Sequence, residues 1–140
     1  MNELVATDNG TLFNPATAKT SYCSMAVNTP EEKKKLFNAI NATGKHLKDL
    51  VNMDLEIRHV YAETVEFVDK SDGTVAPGVR MVVIDNKGES YQTCSQGVFS
   101  SLQKMFSIYG EPSSWEKAIK VKVKQLNRGD NRNVLYLELV

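Results

Sequence analysis

The sequence predicts a mainly β fold with two helices. Three observations support this fold class: alternating, often β-branched stretches recur from residue 53 onward, turn signals separate them, and two stretches have helical apolar spacing. The chain has 140 residues, with 17 acidic and 17 basic side chains. This length suits one domain that buries a sizeable core.

The amino-terminal third is expected to supply an arm, a short strand and a helix. Residues 1–20 carry turn signals with few apolar residues, which indicates an arm or a loose hairpin, and residues 21–27 alternate as a strand does. The helix should begin at Thr29, with proline at its first position and Glu32 three residues after the cap. Gly44 should end it. The predicted apolar stripe of this helix is Leu36, Phe37 and Ile40.

Alternation replaces helical spacing from residue 53. Residues 53–68 read as one long strand with a bend or bulge near His59, where the apolar parity changes. The segments that follow are a loop, a β-branched strand, a hairpin turn and its partner strand, at residues 69–78, 79–85, 85–88 and 89–95.

Helical spacing returns over residues 97–109, and a final hairpin turns around residues 127–133. From residue 53 the order is therefore three strands, one helix and two strands. This is the element order of an OB-fold, a five-stranded Greek-key barrel with its helix between the third and fourth strands. We expect residues 53–140 to form the barrel, and residues 1–52 to pack on it as an extension of one compact domain.

Enzymatic chemistry has little support in these residues. No nucleophile motif, glycine-rich phosphate loop or dinucleotide fingerprint occurs. Cys23 and Cys94 are far apart, and His46 and His59 are isolated, so we expect no disulfide, metal site or cofactor. The sequence also lacks a long apolar run and a signal-like start, so we expect a non-catalytic protein of the cytoplasm.

A surface that binds a polyanion has better support. Residues 29–52 and 119–140 are basic overall, whereas residues 53–76 are acidic. If the apolar residues of the alternating segment 119–124 face the core, three lysines point outward about 7 Å apart, which matches successive phosphates of an extended strand. These lysines are Lys120, Lys122 and Lys124. Two arginines of the adjoining loop and two on earlier strands extend the predicted path; they are Arg128, Arg132, Arg80 and Arg58.

Stacking on bases requires exposed aromatic rings, and each stacked base contributes about 1–3 kcal/mol. Four aromatic residues on predicted outer strand faces or in a loop are candidates: Tyr61, Tyr91, Tyr136 and Trp115. The alternative for each ring is a packing role at the barrel end or in a subunit contact. Three further rings lie on predicted helices and are expected in the core: Phe37, Phe99 and Phe106.

The leading hypothesis is sequence-nonspecific binding of single-stranded DNA, and two alternatives stay open. The lysine row also fits the protection of an edge strand from aggregation, in which case the barrel serves as a protein–protein adaptor with an acidic partner. Such an adaptor should not prefer single strands to duplex. An RNA-binding OB domain is the other alternative, because discrimination between RNA and DNA depends on contacts to the 2′-OH.

Long stretches of the chain resemble a group of short single-stranded DNA-binding proteins of bacteriophages and mobile elements of Gram-positive bacteria. The stretches are ELVATDNGTLFNPATAKTSYCSM, KLFNAIN, VVIDNKGESYQTCSQGVFSSLQKMFSIYGEPSSWEKAIKVKVKQLNRG and the leucine-rich last strand. The resemblance covers nearly the whole chain. It implies an OB-fold, sequence-tolerant strand binding and a role in DNA replication or recombination without catalysis.

The partner expected from these features is single-stranded DNA; replication or recombination proteins are compatible as further partners, and no membrane is expected. The arm and the first helix are not needed for a minimal barrel, so they are expected to add a subunit contact in a dimer or higher oligomer, or to close one side of the groove. The final residues, LYLELV, read as a strand. Recruitment of partners by a flexible acidic tail, as in housekeeping bacterial single-strand binders, is therefore not expected.

Overall fold

The computed structural model describes residues 21–41, 44–127, 129 and 133–140. Within them, the strands are β1 (Ser21–Cys23), β2 (Asp54–Val68), β3 (Val75–Asp85), β4 (Ser90–Thr93), β5 (Ile119–Asn127) and β6 (Asn133–Leu139). The helices are α1 (Pro30–Asn41) and α2 (Gln96–Tyr109), and 3-10 turns occupy Leu47–Leu50 and Pro112–Ser114. The prediction of a mainly β fold with two helices is confirmed. No helix in the described part of the chain is long and apolar enough to cross a membrane.

The strands form one antiparallel sheet in the order β4-β3-β2-β5-β6, with β1 also paired to β2. From β2 onward this arrangement is OB-like, because the first barrel strand is central and pairs with a strand of each later hairpin. β4 and β6 do not pair with each other in the described residues. The sheet is therefore not the closed barrel that the sequence predicted, and its topology is compatible with an OB-like fold.

The bend predicted near His59 is a bulge in β2. The register between β2 and β3 skips one residue between Ile57 and His59, which leaves Arg58 as the extra residue. Before the bulge, β2 pairs with β5 through Asp54–Ile57, and after it β2 pairs with β1 through residues 61–63. The bulge thus allows one long strand to pair with different partners on the same edge.

Helix α2 lies along the free edge of β6. The Ser95 hydroxyl donates a hydrogen bond to the carbonyl oxygen of Leu135 (3.3 Å), and the Ser101 hydroxyl accepts one from the amide of Leu137 (3.1 Å). Gly97 permits this close approach, because a Cβ atom there would lie 2.0 Å from the Leu135 carbonyl oxygen. The helix therefore covers polar backbone groups that an edge strand would otherwise expose.

The main core lies between the curved sheet and α2. Phe99 and Phe106 are buried in it, as their helical spacing predicts. Trp115 packs edge-on against Phe106, with ring centroids 6.2 Å apart, and its indole N–H donates to the carbonyl oxygen of Gly110 at 2.9 Å. Leu47, from the turn before β2, is fully buried in the same cluster. This core holds the strands that carry the candidate binding residues.

A smaller core lies on the outer face of β2 and β3, under α1. Its buried residues are Tyr61, Val82 and Ile84, and the helix packs on them through Leu36, Ala39 and Ile40. The predicted capping box is present, since Thr29 and Glu32 each accept a hydrogen bond from the other's backbone amide. The prediction that Phe37 packs in the core is wrong, because Phe37 lies about 100° around the helix from Leu36 and is 59% exposed.

The hairpin between β2 and β3 is longer than the sequence predicted. Residues 75–78, predicted as loop, belong to β3 and pair with β2 as far as Val68. The turn spans residues 69–74, where two aspartates accept hydrogen bonds from residues two positions later. Proline and glycine lower the β-propensity of this segment, but pairing with β2 overrides that preference. The result is a β2–β3 arm that carries exposed apolar side chains.

Candidate nucleic-acid interface

Strand β5 presents its lysines on the outer face of the sheet. Val121 and Val123 are fully buried in the main core. The alternating side chains therefore project to the opposite side, where Lys120 is exposed and Lys122 and Lys124 are partly exposed. These three residues are called the lysine row below.

Carboxylates flank one end of the lysine row. In the pairing register, Glu56 lies opposite Lys120, and Asp54 and Glu138 lie opposite Lys122 on its two sides. The Nζ atom of Lys122 is 3.8 Å from Oδ1 of Asp54. Positive charge at this end is therefore partly compensated within the sheet, which weakens its attraction for a polyanion.

The other end of the row leads into the β5–β6 loop. Lys124 lies opposite Tyr136, not opposite a carboxylate. Arg128 and Arg132, which the sequence predicts as phosphate contacts in this loop, lie outside the residues that the structure describes. Among the described residues, Lys124 is thus the member of the row with an aromatic cross-strand neighbour.

Arg58 occupies the bulge of β2 and lines two neighbouring surface grooves. Its Nη1 atom donates a hydrogen bond to the carbonyl oxygen of Pro112 (3.0 Å), which holds the guanidinium in place. One groove, of about 860 Å³, also has Lys117 and Lys120 on its walls. The other, of about 650 Å³, runs between α1 and the β3–β4 turn. The charge of Arg58 thus links the β5 surface to the α1 surface.

His59 follows Arg58 and lies half-buried on the wall of the smaller groove. Its Nδ1 atom is 3.3 Å from the Ser24 hydroxyl. Burial, with a further contribution from the Arg58 charge, holds the pKa of His59 below its usual range. The imidazole therefore favours its neutral form, and the groove takes its positive charge from arginine and lysine side chains.

Arg80 makes contacts that explain its position without a ligand. Its guanidinium donates to the carbonyl oxygen of Ile40 (2.9 Å) and to Oε1 of Gln92 (3.1 Å), and lies 3.9 Å from a carboxylate oxygen of Glu63. The contact with Ile40 satisfies a carbonyl at the carboxyl end of α1, where helices leave such groups unpaired. Arg80 thereby anchors α1 to the sheet.

Two of the predicted stacking residues are buried. Trp115 belongs to the main core, and Tyr61 lies under α1 with its hydroxyl donating to Oε1 of Glu63 at 2.8 Å. Tyr91 shares the inner face of the sheet with Val83 and is half-buried. Lys45 places its Nζ atom 5.7 Å from the centre of the Tyr91 ring. Tyr136, also half-buried, lies next to the lysine row on the outer face, opposite Lys124.

Phe67 is an exposed ring that the sequence interpretation missed. It lies on the β2–β3 arm, is 46% exposed, and packs over Gly78 so closely that a Cβ atom at Gly78 would lie 2.0 Å from the ring. Because Gly78 has no side chain, one side of the Phe67 ring packs directly on its backbone, and the rest of the ring stays accessible to solvent. The available signal was the shared parity of Phe67 with Tyr61, combined with a glycine on the facing strand.

One of three comparisons with known proteins found a match. Residues 16–140 match the family described as phage single-stranded DNA-binding protein. No match was found among curated proteins or among solved structures. The family match spans most of the chain, including all the described strands and helices. The chain therefore belongs to the phage single-stranded DNA-binding protein family.

Proposed function

We propose that this phage single-stranded DNA-binding protein holds its strand by the phosphates along the lysine row, from Arg58 toward the β5–β6 loop. The observation that carries this proposal is the position of the three lysines, which alternate along β5 with Val121 and Val123, both fully buried on the other side of the strand. The strand holds the Cα atoms of successive lysines about 7 Å apart, so the flexible side chains can place their ammonium groups on successive phosphates. Contacts to phosphates do not distinguish bases, so binding is independent of sequence.

The carboxylates beside the row give its members unequal weight. The carboxylates of Asp54 and Glu138 on the neighbouring strands partly compensate the positive charge of Lys122, whereas Lys124 lies opposite Tyr136. We therefore assign the strongest phosphate contact to Lys124, with Arg128 and Arg132 continuing the path in the loop. Tyr136 supplies a ring next to this contact.

Stacking adds to the phosphate contacts on the β2–β3 arm. In OB-folds the loop between the first two strands is one of the loops that bind oligonucleotides. Here that loop is the turn at residues 69–74, at the end of the β2–β3 arm that carries Phe67. A base that stacks on Phe67 contributes about 1–3 kcal/mol whatever its identity. Tyr91, with one edge outside the core, is a secondary candidate, and Trp115 and Tyr61 are left out because they are buried.

In the cell, this binding protects and extends single strands during phage DNA replication, the role that the family implies, and we extend the proposal to recombination. The protein acts without catalysis, in the cytoplasm of the host bacterium. Contacts between copies and with replication or recombination proteins are compatible with the proposal. They are not required for phosphate binding by the lysine row.

The test is fluorescence anisotropy of a labelled oligo(dT) of about 30 nucleotides, titrated with protein at several salt concentrations. For single strands, the slope of log K against log salt changes by about 0.7 for each phosphate that the protein neutralises. We expect Lys124→Gln to lower the magnitude of the slope by about that amount and Lys122→Gln to lower it less. Lys104→Gln, on the exposed side of helix α2 and outside the proposed path, serves as a charge-matched control that tests the importance of position.

Two further titrations distinguish the alternatives. An oligo(U) of the same length tests for an RNA-binding domain, and a duplex of the same length tests for a general polyanion binder or an adaptor. The proposal requires that oligo(dT) bind more tightly than duplex. Equal salt slopes for the wild type and the Lys124→Gln variant would remove the lysine row from the interface.

A further inference from the structure

The outward face of α1 carries an exposed ring between cations. The helix packs on the sheet through Leu36, Ala39 and Ile40, and its opposite face is in solvent. Phe37 is 59% exposed, which makes it the most exposed aromatic residue in the described part of the chain. A single exposed apolar side chain is common on protein surfaces, so the significance of this ring depends on the charged residues around it.

Two lysines share this face with Phe37. Lys33 and Lys34 precede it by four and three residues, which places them one helical turn away, and both are exposed. Helical side chains lean toward the amino terminus, so the ring of Phe37 leans toward the turn that carries the lysines. Glu32 is engaged in the capping box, where it accepts hydrogen bonds from the backbone amides of Asn28 and Thr29. The helix therefore presents a ring and two ammonium groups side by side.

The surface between α1 and the lysine row is continuous. The groove of about 650 Å³ has Lys35 and Asn38 of α1 on one wall. Arg58 and Asn86 line that groove and also the groove of about 860 Å³, which reaches Lys120. A strand that leaves the lysine row at Lys120 thus meets Arg58 in the shared wall and then Lys35. Phe37 lies about 160° around α1 from Lys35, so the strand must cross the solvent-exposed side of the helix to reach the ring.

Helix α1 is held firmly enough to act as a fixed platform. The capping box fixes its first turn, and the contact from Arg80 to the carbonyl oxygen of Ile40 fixes its last turn. A ring on such a support loses little conformational freedom when a base stacks on it.

We propose that α1 is a second contact for single-stranded DNA, in which Phe37 stacks on a base while Lys33 and Lys34 neutralise neighbouring phosphates. This inference rests on the proposed function, because it extends the strand path that begins at the lysine row. It assigns to an amino-terminal helix, which lies outside the minimal barrel, a direct part in strand binding. The site on one molecule is then longer than the β5 surface alone.

The first test is a Phe37→Trp variant of the full chain. The natural chain has one tryptophan, Trp115, which is buried, so the new indole reports on the surface of α1. We expect oligo(dT) to quench its emission, because a stacked indole contacts the base. Ile108→Trp is the matched control, since Ile108 is 74% exposed on a helix outside the path, and its emission should not change.

The second test is affinity for the same oligo(dT). Phe37→Leu keeps an apolar side chain but removes the aromatic face, so we expect affinity to fall by about 5- to 150-fold, the range for loss of one stacked base. Phe37→Tyr keeps the ring and should bind as the wild type does. The double change Lys33→Gln and Lys34→Gln should lower the magnitude of the salt slope by about 1.4.

The outcomes separate the two proposals. Full quenching of the Phe37→Trp variant combined with an unchanged salt slope in Lys124→Gln would support α1 and overturn the lysine row. Tight binding without quenching would overturn the α1 contact alone. The α1 contact would also be overturned if Phe37→Leu binds oligo(dT) with normal affinity and the emission of Phe37→Trp changes with protein concentration instead of with added DNA. That result would indicate a contact between copies of the chain.

Discussion

Removal of one carboxylate should tighten strand binding. Asp54 lies beside Lys122, with 3.8 Å between Oδ1 and Nζ, and both side chains are partly exposed, at 45% and 39%. In the bound state that we propose, a DNA phosphate competes with this carboxylate for the ammonium group. Asp54→Asn removes the competitor and keeps the shape of the side chain, so Lys122 becomes fully available to the phosphate.

The magnitude follows from the distance. Two unit charges 3.8 Å apart interact by about 1 kcal/mol in a medium as polar as water, and measured values for exposed pairs are about 0.2–1 kcal/mol. The Kd of the Asp54→Asn variant for oligo(dT) should therefore be about 1.5- to 5-fold lower than that of the wild type at low salt. The difference should vanish toward 1 M salt, where the screening length is about 3 Å.

The assay is the anisotropy titration, with two controls. Asp49→Asn removes an acidic charge from the turn before β2 and should give a smaller gain. The Lys122→Gln background should abolish the gain of Asp54→Asn, because the effect passes through that ammonium group. If Asp54→Asn binds no more tightly than the wild type at low salt, or if the gain persists without Lys122, the reasoning that places phosphates on the lysine row is refuted.

Three further predictions concern the scaffold. Gly97→Ala brings a Cβ atom against the Leu135 carbonyl, so urea unfolding should show a loss of roughly 1–3 kcal/mol; a neutral result would mean that α2 can shift. Trp115→Phe loses the hydrogen bond to Gly110 and should cost roughly 1–3 kcal/mol, with unchanged oligo(dT) affinity in the folded protein; weaker binding would restore Trp115 as a stacking residue. Because the pKa of His59 is depressed in the fold, the unfolded chain binds more protons below about pH 6.5, and stability falls there. His59→Gln should flatten the unfolding free energy between about pH 7.5 and 5, and an unchanged profile would contradict this.

The sequence predicted the elements well where pattern and packing agree. The bulge near His59 could be recognised because the apolar parity changes there, and that change reflects the real shift of β2 between partners. The outward direction of the lysine row followed from its alternation with valines that the core buries. The capping box of α1 could also be recognised from the sequence, since Thr29 and Glu32 are three residues apart and form reciprocal hydrogen bonds between side chain and backbone.

Other features depend on tertiary contacts that periodicity does not encode. The burial of Tyr61 and the exposure of Phe37 both follow from the way α1 lies on the outer face of the sheet. Trp115, in a proline- and serine-containing segment, gave no sign that it would pack on Phe106. Phe67 was not predicted as a stacking residue because the placement of its ring depends on Gly78 in the facing strand, 11 positions later, and the sequence predicted Gly78 in a loop.

The two hydroxyl contacts on β6 have a consequence for behaviour at high concentration. The proposed sequence-independent binding along a strand requires many copies of the protein, so these copies would meet often. A bare sheet edge would then invite strand-to-strand association and precipitation. The hydroxyls of Ser95 and Ser101 form hydrogen bonds with a backbone carbonyl and a backbone amide on the free edge of β6. The helix therefore shields this edge from neighbouring molecules and helps to prevent aggregation at high protein concentration.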